Sequence, residues 1–169
     1  ILKHLRPNLI LFVPILSTSL YRTIAKLMLK WMAEYAEVGY YENADKIINI
    51  CLGFVTALGQ VMMPKASYLM EIGKIDECNR LTKKTLKFVT LLSSAIAFGI
   101  LAVAKDFVPL FFGEAFVKTT PVLMILAPCF MIIAWSNVIK TQILMAREKD
   151  SIYVGATILG VICNIILNC

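Results

Sequence analysis

Apolar residues in this sequence gather in five long runs, and polar residues gather between them. The runs cover 8–32, 44–63 with a continuation to 70, 86–104, 121–139 and 152–169. None alternates with period two, as a strand of a membrane barrel would. Runs of about 20 apolar residues have the length of a helix that crosses a bilayer. A helix also satisfies its own backbone hydrogen bonds, which hydrocarbon demands. The pattern predicts an all-α membrane protein, a polytopic helical bundle of about five transmembrane helices, with a polar, cytoplasmic connector at 71–85. Gly53, Gly59, Gly99, Gly155 and Gly160 lie inside the runs and suit close helix approach. Pro14, Pro64, Pro109, Pro121 and Pro128 are expected to start or bend helices.

Composition agrees with the pattern. Of 169 residues, 59% are hydrophobic and 17% charged, and mean hydropathy is +0.78. Soluble domains hold roughly 45–50% apolar and 25% charged residues. The balance excludes a disordered chain, a nucleic-acid-binding domain and a disulfide-rich module. The chain opens at Ile1 rather than Met and stops at Cys169 inside an apolar run, so it is expected to be part of a longer protein. The apolar stretch after Lys3, His4 and Arg6 is too long for a signal-peptide core.

Charge gives the runs a direction. Alternate loops hold Lys3 and Arg6, then Lys65, Lys74, Arg80, Lys83, Lys84 and Lys87, then Lys140, Arg147 and Lys149, eleven of the 17 Lys and Arg. The opposite loops hold Lys46, Lys105 and Lys118. The positive-inside rule then predicts a cytoplasmic N-terminus. The basic segment 73–87 has two readings, a helix whose lysines meet anionic headgroups or a solvated topology signal with no specific partner. Aromatic residues collect at the opposite loops, and 107–116 reads as a short interfacial helix or re-entrant turn.

Three cations lie within the first run. Arg22, Lys26 and Lys30 recur every four residues and share one helical face, which Thr18 extends inward. A cation at the membrane centre costs at least ~2.5 kcal/mol. The stripe therefore lines a wet cavity, or Arg22 pairs elsewhere while the lysines snorkel. No Asp or Glu lies well inside any run. A cavity with cations and no acids attracts anions, and the planar fork of Arg suits phosphate. Gln60, Asn137, Gln142, Asn164 and Asn168 are expected to hydrogen-bond between helices or to line the cavity.

No catalytic site emerges. The single histidine, His4, is terminal, and Cys51, Cys78, Cys129, Cys163 and Cys169 form no C-x-x-C pair. Neither metal nor cofactor is implied, and the net charge of +6 needs no nucleic acid to explain it.

Four motifs, in order, carry a resemblance. They are Val38-Gly39-Tyr40-Tyr41-Glu42-Asn43-Ala44-Asp45-Lys46-Ile47, Val61-Met62-Met63-Pro64-Lys65-Ala66-Ser67, Leu110-Phe111-Phe112-Gly113-Glu114-Ala115-Phe116, and the Asn164 to Asn168 ending. With them the sequence resembles the polysaccharide (O-antigen type) flippases, in the multidrug, oligosaccharidyl-lipid and polysaccharide exporter superfamily. The resemblance covers essentially the whole chain. It implies two six-helix lobes, of which these residues would be most of the C-terminal one. It also implies transport of undecaprenyl-pyrophosphate-linked oligosaccharide across the bacterial cytoplasmic membrane, with membrane lipids and the missing N-terminal lobe as partners. Arg22, Lys26 and Lys30 would then contact the anionic lipid-linked glycan. Relatives often carry an acid and a glycine where this chain has Ala25 and Lys30, which weakens ion coupling there and makes the helix more cationic. A multidrug antiporter of the same superfamily and a non-transporting scaffold of a glycan-assembly complex are the alternatives.

Overall fold

The computed structural model describes Phe12, Leu16, Ser19, Thr23 and residues 35–168. Their regular structure is helical: α1 (Tyr35–Glu71), α2 (Ile75–Phe112), α3 (Thr119–Val138) and α4 (Asp150–Asn168). A 3-10 turn, Glu114–Phe116, precedes α3. A π-helix, Ile139–Leu144, and a second 3-10 turn, Met145–Arg147, continue it. Phe12, Leu16, Ser19 and Thr23 in the first apolar run are also helical.

Among the described residues, Ala36–Glu71, Ile75–Phe112 and Thr119–Arg147 are long and apolar enough to cross a membrane, and Asp150–Asn164 is a shorter apolar helix. The fold is an all-α membrane bundle, and the protein is multi-pass. Each long helix has a stretch without charge, 47–64, 88–104 and 119–139. At ~1.5 Å per residue these measure about 27, 25 and 31 Å, close to the ~30 Å of bilayer hydrocarbon. The chain divides into two compact units, Ala36–Arg147, and Glu148–Cys169 with Ile1–Tyr35. Glu148 leaves the first unit with left-handed backbone, φ 54°.

The unit Ala36–Arg147 is held by the facing stripes of α1, α2 and α3. Ala44, Ile48, Leu52 and Val55 of α1 join Val89, Ala104 and Val108 of α2 and Leu123, Phe130, Ala134 and Val138 of α3 in one buried cluster. Alanine is frequent there because lipid tails are as apolar as leucine, so membrane helices gain most from close backbone approach. A smaller cluster of Ala66, Leu69, Cys78 and Ala146 closes the end near the α1–α2 turn.

That turn has a local cause. Lys74 N–H donates to Leu69 O at 2.9 Å and Gly73 N–H to Met70 O at 3.1 Å. This pairing caps the last carbonyls of α1 and needs a left-handed residue, which Gly73 supplies at φ 74°. Helix α2 starts immediately, at Ile75, so most of 71–85 is its first turns. At its far end α2 runs on to Phe112, and Gly113 (φ 88°) breaks it. Of the segment expected as an interfacial helix or re-entrant turn, 107–112 is therefore the end of α2, and only Glu114–Phe116 is a separate short helix.

Aromatic rings close that end. Phe107 stacks on Phe111 at 5.1 Å, Phe111 meets Phe112 edge-on at 5.0 Å, and Tyr40 of α1 meets Phe116 edge-on at 6.0 Å. Lys118 lies 5.9 Å above the Tyr40 ring and 3.7 Å from the Glu37 carboxylate.

Candidate functional site, a polar seam at the π-helical end of α3

Three of the polar residues brought together in the bundle sit where α3 widens. The α-helical stripe of α3, Phe130, Ala134 and Val138, points into the core. The π-turn then adds a residue to the helix, which leaves two successive side chains, Thr141 and Gln142, both buried. Turns of this kind recur at functional sites. Thr141 Oγ1 donates to Asn137 O at 2.9 Å. Asn137 presses toward α1 at Gly59. A β-carbon on Gly59 would lie 2.6 Å from Asn137 Oδ1 and 3.4 Å from Thr141 Oγ1.

The seam is underbonded. Gln142 is fully buried, and neither its Oε1 nor its Nε2 has a hydrogen-bond partner among the described residues. Asn137 Oδ1 is in the same position. Buried polar groups are normally paired, so such a cluster requires a reason. Its chemistry is neutral: two amides and a hydroxyl, which can bind hydroxyl groups or water but supply no charge. Among the described residues, no group of three His, Cys, Asp or Glu could hold a metal.

Other polar pairs lie elsewhere in the bundle. Trp135 Nε1 donates to Thr90 Oγ1 at 2.9 Å, and Thr90 Oγ1 donates to Leu86 O at 2.7 Å, which ties α3 to α2. Arg147 Nη2 donates to Asn79 Oδ1 at 2.6 Å, while Arg147 Nε is buried without a partner among the described residues. At the polar head of α2, Lys74 Nζ donates to Glu77 Oε1 at 2.8 Å. That hydrogen bond and the Lys74 charge hold the Glu77 carboxyl below its ordinary range, with a smaller contribution from Arg80.

The sequence-derived candidates scatter. Arg22, Lys26, Lys30 and Thr18 lie outside the described residues. Gln60 is exposed on α1, beside the seam in sequence but turned out of it. Asn137 is in the seam. Asn164 is half-buried on α4, in the other unit, and Asn168 ends α4 with its side chain outside the described part. Sequence reasoning grouped Gln142 with these residues but could not see its complete burial. It had no means of pairing Gly59 with Asn137, because the two sit on different helices and no spacing rule connects them.

The family described as polysaccharide biosynthesis protein matches residues 8–121. A candidate O-antigen transporter of Escherichia coli (strain K12) is 25% identical over 155 residues, 89% of this chain and 37% of that protein. A candidate low-salt glycan biosynthesis flippase, Agl15 of Haloferax volcanii, is 27% identical over 133 residues, 79% of this chain and 28% of that protein. The chain thus spans roughly a third of the length of these curated relatives. No solved structure matches it.

Proposed function

The chain belongs to the polysaccharide biosynthesis protein family, and from that premise we propose that it is part of a flippase for lipid-linked oligosaccharide. The cargo is an anionic glycan carried on undecaprenyl pyrophosphate, moved across the bacterial cytoplasmic membrane without chemical change. Residues 1–169 supply most of one transmembrane lobe, and a second lobe of the same protein completes the pathway. One observation carries the reading: the family match runs through 8–121 and so includes the run bearing Arg22, Lys26 and Lys30. The charge-free stretches 47–64, 88–104 and 119–139 add no carboxylate to compete with an anion there. Arg22 and Lys26 would hold the pyrophosphate, and Lys30 would meet it nearer the membrane surface.

The seam has a secondary part in this proposal. Asn137, the half-buried member of the seam, offers an uncharged amide that suits sugar hydroxyls or water, while Thr141 and Gln142 are buried behind it. The test is an Arg22→Ala substitution in the full-length protein, expressed at wild-type abundance. Loss of surface glycan with normal membrane insertion is expected. Normal surface glycan from that variant would overturn the assignment of Arg22.

A further inference from the structure

Helix α2 is longer than the membrane is thick. Its 38 residues extend about 57 Å at ~1.5 Å per residue, while its charge-free part covers only 88–104. The first turns, from Ile75 to Lys87, therefore stand at and beyond the headgroups. Their buried positions are Cys78, Thr82 and Thr85, and Val89 continues the same side. At about 100° per residue these cluster on one side of the helix.

Arg80, Lys83, Lys84 and Lys87 are all exposed. By the same geometry they fill an arc of roughly 100°, centred opposite the buried side. The basic arc thus points away from the bundle formed by α1, α2 and α3. Along the same face, in the charge-free part, come Leu91 and Phe98, 71% and 68% exposed. The surface changes from cationic to apolar within one helical turn, between Lys87 and Leu91.

Among the described residues, none of the four cations lies within 4.0 Å of a carboxylate oxygen. Asp76 and Glu77 sit one turn farther from the hydrocarbon, and Lys74 takes Glu77 at 2.8 Å. Among the described residues, Lys83, Lys84 and Lys87, nearest the membrane, have no carboxylate within 4.0 Å.

We infer that this face of α2 is a docking surface for an anionic phospholipid of the leaflet at the α1–α2 turn. The headgroup phosphate sits among Arg80, Lys83, Lys84 and Lys87, and the acyl chains lie along Leu91 and Phe98. Charge complementarity selects the head, and the continuous apolar face selects a ligand that carries chains on it. A free phosphate would leave the second half of that surface unused. The surface uses none of Arg22, Lys26 and Lys30, so the inference does not rest on the cargo.

The experiment uses the full-length protein in nanodiscs of phosphatidylcholine containing 0 or 30% phosphatidylglycerol, with co-purifying lipid counted by native mass spectrometry. The wild type should retain phosphatidylglycerol over phosphatidylcholine. The Arg80→Gln, Lys83→Gln, Lys84→Gln, Lys87→Gln variant should lose that preference. The expected loss is about fivefold per charge at low salt, shrinking as salt is raised. A Lys83→Arg, Lys84→Arg, Lys87→Arg variant keeps the charge and should keep the preference, which separates lipid binding from misfolding. Equal phosphatidylglycerol retention by wild type and the Gln variant would overturn the inference.

Discussion

Asn137 of α3 rests against the bare Cα of Gly59 on α1, so closely that a β-carbon there would stand 2.6 Å from Asn137 Oδ1. Real β-carbons do not come so near an oxygen. Gly59→Ala should therefore destabilise the full chain by about 1 kcal/mol, within the range of a strained core insertion. In an Asn137→Ala background the obstacle is gone, and alanine is the better helix residue by roughly 0.5–1 kcal/mol. The same substitution should then be neutral or stabilising. Thermal unfolding in detergent of the two singles and the double gives the answer, and equal effects in both backgrounds would show that the contact is not formed.

Gln142 makes the opposite case, a side chain whose removal should help. Both amide atoms are buried and unpaired among the described residues. An unsatisfied buried polar group costs about 1–3 kcal/mol. Gln142→Met keeps the length and removes the cost, so unfolding should shift upward by that order. Surface glycan output measured beside stability divides two roles. Higher stability with lower output would mean that the amide serves transport, whereas lower stability would mean that it is bonded after all.

The Trp135 to Thr90 hydrogen bond joins α3 to α2 in the charge-free layer, at 2.9 Å. Interhelical bonds of this kind average about 0.6 kcal/mol in membranes. Trp135→Phe and Thr90→Ala should each cost near that amount beyond any loss of packing. The double variant should cost less than the two singles together, by the energy of the shared bond. Strict additivity in an unfolding assay would refute it.

Arg147 presents one nitrogen to Asn79 Oδ1 at 2.6 Å and buries its Nε without a partner among the described residues. Asn79→Asp replaces the amide with two acceptor oxygens and a charge, the arrangement that Arg binds through two parallel bonds. A stability gain of about 1 kcal/mol is expected, and Asn79→Ala should lose about 1–3 kcal/mol. Melting temperatures of the two variants should fall on opposite sides of wild type.

Much of the bundle was legible in advance because hydrocarbon imposes one rule, that backbone groups be paired within the helix. The runs 44–70, 86–104 and 121–139 each lie within or across a single long helix of the structure. What the sequence could not convey is which side of each helix is inside. On α3, Leu123 and Phe130 are buried while Ile125 and Ile132 are 70% and 62% exposed. All four are equally at home in lipid or protein, so apolarity carries no facing information there. The candidate seam was hidden for a related reason: Gly59 reads as one of five glycines suited to close helix approach and Gln142 as one of several interhelical polar residues, with no spacing rule to bring them together.

The sequence by itself determined the class of the protein: helices of membrane length, charge confined to their ends and to one stripe, and the order of motifs that places it in its family. These are one-dimensional properties, and the bilayer acts on them one helix at a time. Tertiary structure alone decided that Gly59 admits Asn137, that Gln142 is sealed in without a partner among the described residues, and that the cations of α2 face away from its core. Each of those facts depends on the rotation of one helix against another. That rotation is set by close packing of small side chains such as Ala97, Ala104, Ala127 and Ala134, whose pairing across helices no local pattern records.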